Sequence, residues 1–106
     1  MNTIQTKSFH RIYNEKKPLH LLDVREEDEY KQGHIKGATL FPMSEFATLL
    51  PKLDPNTHYY LICRSGRRSA DLGKYLAAKG YNVTNIEGGM LDWEGEQVIG
   101  IHETDD

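Results

Sequence analysis

The stretch "HYYLICRSGRRSADLGKYLAAKG", residues 58–80, runs from an apolar segment through a charged loop into a helical pattern. Its first six residues, 58–63, join aromatic and aliphatic side chains without a break, which predicts a strand. After the loop, Leu72, Tyr75 and Leu76 fall on one side of a helix, and Gly80 is a natural C-terminal stop. Between the two lies Cys63, the chain's single cysteine, with Arg64, Arg67 and Arg68 within the next five residues.

Similar alternation extends in both directions. "HLLDV" (20–24) is a short buried strand, and the charged, helix-prone "REEDEYKQ" follows it up to Gly33. "ATLF" (38–41) is a further strand, stopped by Pro42. Ser44 is expected to cap a helix that buries Phe46, Leu49 and Leu50. Pro51 and "DPN" (54–56) mark a loop. "NVTNIE" (82–87) is another strand, and "GGMLDWE" turns into a short helix. "TIQTKSFHRIYNE" reads as a strand followed by a helix, and residues 101–106 as a frayed acidic tail beyond a single domain over 1–100. Strands alternating with helices predict an α/β fold with a parallel sheet. Ligands bind such sheets beyond the carboxyl ends of the strands, where Cys63 falls.

The bulk properties narrow the function. A chain of 106 residues suits one core. A net charge of -3 argues against nucleic-acid or membrane-surface binding, although a local basic pocket remains compatible with it. No apolar run approaches the roughly 20 residues of a membrane span. The opening "MNTIQTKSFHR" lacks a signal-peptide core, so a cytoplasmic location is expected. A lone cysteine cannot form a disulfide within the chain, and a free thiol suits a reducing compartment.

The thiolate is the reactive form of cysteine. Helix N–H groups just downstream and nearby guanidinium groups both favour the anion. Gly66 lets the loop turn its amides inward as an anion-binding nest, and Ser65 and Ser69 add hydroxyl donors. The same features attract an anionic substrate. The bland alternative is a small buried hydrophobe beside a solvated charge cluster. Cysteine at a strand end, glycine three residues on, arginine five on and then a helix together favour an anion-handling nucleophile.

"CRSGRRS" (63–69) resembles the active-site loop of the rhodanese family of sulfurtransferases. "LLDVREEDEYKQGHIKGATLFP" (21–42) is similar to that family's N-terminal signature, and "IEGGMLDW" (86–93) to its C-terminal one. The match runs from about Ile4 to Trp93, and three ordered motifs are more specific than any one of them. The resemblance implies a central parallel sheet of about five strands with helices on both faces. It also implies that Cys63 accepts a sulfane sulfur as a persulfide and passes it to a nucleophile. Arg64, Ser65, Gly66, Arg67 and Arg68 become the substrate-binding loop. Arg64 and Arg68 are the foremost candidates to hold a sulfonate-like group, with Arg67 either beside them or turned to solvent, since sequence does not separate the three. The donor is an anion such as thiosulfate, and the acceptor an external thiol, cyanide or a partner protein's cysteine. No cofactor is implied.

Outside the loop, Asp23, Arg25 and Ser69 are expected to support the site. Asp23 and Arg25 are read first as structural, with Arg25 meeting Asp28 or Glu29, and second as a polar shelf beside the pocket. His34 is expected to hold its turn rather than act as a base. His10, His20, His58 and His102 lack ligand spacing, so no metal site is expected. Trp93 and Met90 are read as packing, and Glu87 as a weak supporting candidate. Two rivals remain. A phosphatase or arsenate reductase of the related type carries a loop one residue longer than the four residues "RSGR" between Cys63 and Arg68. Non-catalytic binding modules of the family commonly lack the cysteine.

Overall fold

The computed structural model describes residues 1–101. The remaining tail, where His102 and most of the expected frayed segment fall, lies outside the described residues. Five strands form one sheet: β1 (Asn2–Gln5), β2 (Leu21–Asp23), β3 (Thr39–Leu40), β4 (His58–Ile62) and β5 (Asn82–Glu87). They lie in the order β1-β5-β4-β2-β3, and every pairing is parallel. The crossovers carry α1 (Thr6–Asn14), α2 (Glu27–Gln32), α3 (Phe46–Leu49) and α4 (Arg67–Ala78). This is the α/β architecture that the alternation predicts. No helix among the described residues is long and apolar enough to cross a membrane.

Strand parity separates two cores. Tyr59, Leu61 and Cys63 face the same side as Leu22, Val24 and Val83, where Leu72 and Leu76 of α4 cover them with help from Phe46 and Leu49. Leu21, Ile62 and Ile86 face the other side, against Phe9, Tyr30, Ile35 and Trp93. Side chains alternate along a strand, so a sheet buried on both faces needs apolar residues at nearly every position. Cys63, one residue past β4, inherits the α4 face by this parity. Asn85 on β5 shares the parity of Val83 and lies beneath the start of α4.

Two local expectations are corrected. The segment after Pro42 is not one helix capped by Ser44. It is a 3-10 turn (Met43–Glu45), the single α turn α3 and another 3-10 turn (Leu50–Lys52). Pro51 brings no N–H to a helical ladder. Ser44 is used elsewhere, its hydroxyl donating to Glu26 Oε1 at 2.5 Å. Tyr75 is 42% exposed instead of facing the core, and packs edge-on against Phe46.

Phe9 anchors the second core. It is fully buried, with ring centroids 5.0 Å from Tyr60 and 6.2 Å from Trp93. Phe9→Ala is expected to cost about 3–5 kcal/mol, read as a fall in urea midpoint with little change in slope. A loss below ~1 kcal/mol would mean that this core is not packed as described.

Candidate active site

Cys63 directly follows β4, and the loop after it must reverse into α4. Gly66 makes the reversal at φ +96° and serves as the N-cap of α4. That left-handed conformation suits glycine. A side chain there would also crowd β5, since a Cβ on Gly66 would stand 3.0 Å from Gly88 N and 3.1 Å from Ile86 O.

The loop carbonyls point away from the sulfur. Cys63 O accepts from Met90 N at 2.9 Å, Arg64 O from Leu91 N at 2.9 Å and Ser65 O from Gly88 N at 3.2 Å. Gly66 O accepts from Ala70 N at 3.0 Å and from Asn85 Nδ2 at 3.2 Å. A backbone whose carbonyls are tied outward leaves its N–H groups for the inside of the turn. Gly66 N donates to Cys63 Sγ at 3.1 Å, and Ser69 N at 3.4 Å. Ser69 Oγ stands 3.3 Å from the same sulfur. Arg67 and Arg68 occupy the first two positions of α4, whose N–H groups have no acceptor within the helix. Cys63 is fully buried, while Arg64, Ser65 and Arg67 are exposed above it.

The arginines divide by partner. Arg68 forms a two-pronged pair with Glu29, Nη1 to Oε1 at 2.7 Å and Nη2 to Oε2 at 2.9 Å. The Arg68 hydrogen bond is the largest influence on the Glu29 carboxyl and, with lesser help from the Glu26 amide, outweighs burial to lower it from 4.5 to about 2. Glu29 also caps α2, accepting Glu26 N at 3.2 Å, so one carboxylate joins the start of α2 to the start of α4.

Arg25 does not meet Asp28 or Glu29, the partners expected from sequence. Its Nε and Nη2 bind Asp23 at 2.9 and 2.8 Å, and Nη2 also donates to Gly33 O at 2.8 Å. Spacing alone favours a partner one helical turn ahead. The parity of β2 instead turns Asp23 toward the α2 face, where Arg25 folds back over it. This buried pair ties the end of β2 to the end of α2.

His34 is fully buried, with Nδ1 2.8 Å from Tyr30 O and its ring stacked on Tyr30. Its backbone exchanges hydrogen bonds with Val98. It holds its turn, as the resemblance implies. Trp93 packs on His10, Phe9 and Tyr13, and Glu87 accepts from Gln5 Nε2 at 2.5 Å.

Sequence reasoning missed three contributors. Asn85 touches both Gly66 and Ser69. Glu29 holds Arg68. The 88–91 turn supplies the N–H groups that fix the loop. An amide side chain between Val83 and Ile86, in a strand expected to be buried, was the available signal for Asn85. Glu29 was expected at Arg25, and nothing local tied it to Arg68, because α2 and α4 meet only in the folded chain.

The match to known proteins agrees with this geometry. A model of the rhodanese-like domain matches residues 5–96. The chain belongs to the rhodanese-like family. It is 44% identical over 78 residues to the Bacillus subtilis protein named "Putative sulfurtransferase YtwF", covering 74% of this chain and 76% of that protein. It is 34% identical over 77 residues to the thiosulfate sulfurtransferase PspE of Escherichia coli, covering 69% and 72%. A rhodanese-like domain protein from Staphylococcus aureus superposes with a TM-score of 0.86 at 36% identity, covering 95% of this chain and all of that one.

Two outcomes test the site's construction. A Cβ on Gly89 would lie 2.4 Å from Cys63 O and 2.6 Å from Arg64 O, at φ +56°. Gly89→Ala should therefore lose about 2–4 kcal/mol in urea denaturation, and a neutral change would refute the backbone-on-backbone contact. Glu29 has a folded-state value below its ordinary one. Its contribution to stability is present above about 4.5 and is lost as pH falls toward about 2. The wild type should exceed Glu29→Gln in urea midpoint at neutral pH, and the two should converge in acid. Equal midpoints at neutral pH would contradict the pair.

Proposed function

We propose that this rhodanese-like domain transfers a sulfane sulfur from an anionic donor such as thiosulfate to a thiol or cyanide, through a persulfide on Cys63. The observation that carries the reading is the set of donors on one buried sulfur: two backbone N–H groups and a hydroxyl. A cysteine that merely fills a core needs no such donors. A sulfur that becomes anionic does.

In the first half of the reaction, the Cys63 thiolate attacks the outer sulfur of thiosulfate. The new Sγ–S bond forms, the donor's S–S bond breaks, and sulfite leaves with the electron pair. In the second half, a thiolate or cyanide attacks the outer sulfur. The Sγ–S bond breaks and its electron pair returns to Cys63 as a thiolate. The N–H groups at the start of α4 are suited to the charge on the outer sulfur of the persulfide.

Charge accounting selects the anion anchors. Arg25 is matched by Asp23 and Arg68 by Glu29. Among the described residues, the exposed Arg64 and Arg67 are not matched by a carboxylate, and in this reading they supply the positive charge that meets the donor. This reading moves the sulfonate contact from Arg68 to Arg67 and keeps it at Arg64, with Arg68 contributing field and loop shape. The chain's single cysteine makes the acceptor external, a small thiol or a partner protein's cysteine, in a reducing cytoplasmic setting.

Intact mass spectrometry tests the reading. The wild type should gain one sulfur from thiosulfate and lose it to cyanide as thiocyanate. Cys63→Ser should do neither while remaining folded. The paired change Arg64→Ala and Arg67→Ala should raise the KM for thiosulfate about tenfold or more, most clearly at low salt. The four-residue spacing between Cys63 and Arg68 should leave aryl phosphate hydrolysis far slower than sulfur transfer. Sulfur uptake by Cys63→Ser, or faster phosphate hydrolysis by the wild type, would replace this reading with another.

A further inference from the structure

We propose that Asn85 is a positioning residue for sulfur transfer: it holds the Ser69 hydroxyl between two acceptors, its own amide oxygen and Cys63 Sγ, so that the hydroxyl proton follows the charge on the sulfur. The inference rests on the persulfide reading above and deepens it.

Asn85 sits on β5, 4% exposed, between residues that otherwise build the cores. Both ends of its amide are used. Nδ2 donates to Gly66 O at 3.2 Å, which fixes the orientation and leaves Oδ1 facing Ser69. Ser69 Oγ lies 2.5 Å from Asn85 Oδ1 and 3.3 Å from Cys63 Sγ, and Ser69 is fully buried. A serine hydroxyl has one proton and two lone pairs, so it cannot donate to both acceptors together. The shorter distance assigns the proton to Asn85 when the sulfur carries no charge. A protonated thiol can then donate to Oγ, giving the chain Sγ–H to Oγ–H to Oδ1.

A thiolate reverses that order. Rotation about Cβ–Oγ turns the hydroxyl to the anionic sulfur, with no movement of heavy atoms. In the persulfide, Sγ is bonded to carbon and to the outer sulfur and is uncharged, so the hydroxyl returns to Asn85. During discharge, the acceptor's electron pair forms a bond to the outer sulfur. The Sγ–S pair then collects on Sγ, and the hydroxyl turns to meet the growing charge. The hydrogen bond is therefore stronger in the transition state than in the persulfide, which is the condition for it to accelerate the step. Asn85 acts by keeping Oγ on station. Without it, a buried helical serine is free to bond a carbonyl of its own preceding turn.

The charged groups near this cluster are Arg68 on α4, Asp23 on β2 and Glu29 on α2, with Arg25 on Asp23 and with Arg64 and Arg67 on the loop. All are kept in the variants below, and only Asn85→Asp adds a charge, so differences among the neutral variants report the hydroxyl.

The test measures loading from thiosulfate and discharge to cyanide separately, across pH, for Ser69→Ala, Ser69→Thr, Asn85→Ala and Asn85→Asp. One hydrogen bond to a charged sulfur predicts a discharge about tenfold slower for Ser69→Ala at every pH. Loading by that variant should be slow near neutrality and should recover as pH rises, because higher pH restores the thiolate. Asn85→Ala should reproduce both effects. The double variant of Ser69→Ala and Asn85→Ala should be no slower than either single change, as for residues acting through one group. Asn85→Asp, which keeps the volume if the alanine variant fails to fold, should also slow discharge, because a carboxylate retains the proton and repels the charge growing on Sγ. Ser69→Thr keeps the hydroxyl and should discharge at close to the wild-type rate. Wild-type discharge by either folded Asn85 variant, or additive losses in the double variant, would overturn the inference. Alkylation of Cys63 by a neutral reagent reads the same hydroxyl without a sulfur donor. Ser69→Ala and Asn85→Ala should react more slowly near neutrality and at least as fast as wild type at high pH. If the wild type takes up no sulfur, the sulfur-transfer reading fails, and the alkylation profiles still decide the role of Asn85.

Discussion

The arrangement depends on where four carbonyls point. Those of Cys63, Arg64, Ser65 and Gly66 are bonded to the 88–91 turn, to Asn85 and to the first turn of α4. Each peptide plane is rigid, so fixing the carbonyl outward fixes the N–H inward. The loop therefore does not need its side chains to surround the sulfur with donors. The requirement falls on a different segment. Gly88 and Gly89 must let the backbone after β5 approach the loop closely enough to bond it, and at Gly89 there is no room for a Cβ. Two glycine-containing turns that are distant in sequence form one backbone-to-backbone joint at the carboxyl ends of β4 and β5. Thr6 supports it from α1, its hydroxyl shared between the carbonyls of Glu87 and Gly89.

The electrostatics follow the same division. The concentration of arginine that draws attention in the sequence is not all directed at the sulfur. Glu29 engages Arg68 with both oxygens and Asp23 engages Arg25 in the same way, so two of the four cations near the site are matched in fixed pairs. Each pair also joins elements: α2 to α4 in one case, β2 to the end of α2 in the other. Among the described residues no carboxylate matches the exposed Arg64 and Arg67, the two cations that the proposed function assigns to the anionic donor. Under the proposed function, separate groups thus serve fixation and attraction, and a donor would be held without disturbing the pairs that hold the loop.

Much of this was legible in sequence. The run "HYYLIC" had to be a strand, because a buried parallel strand leaves a nearly continuous apolar record, and "NVTNIE" matches β5 from end to end. The three motifs located Cys63 and its loop. Other features were not legible, for definite reasons. The helix expected after Ser44 competes with Pro51 and with a distant acceptor, Glu26, that claims the serine. Arg25 had plausible partners at helical spacing, and only the parity of β2 gives it to Asp23. In sequence, Asn85 reads as one more residue of a strand. Its contacts with Gly66 and Ser69 depend on Leu61 pairing with it across the sheet and on α4 crossing above, and neither is a local property.

The most direct test of the central claim is a crystal structure of the protein after treatment with thiosulfate. The account predicts a second sulfur bonded to Cys63 Sγ at about 2.0 Å. It should lie within reach of the N–H groups at the start of α4, with the loop carbonyls still bonded to Gly88, Met90 and Leu91. An unmodified Cys63 in protein that has been exposed to the donor would contradict the account, as would a sulfur accommodated only by breaking those carbonyl bonds.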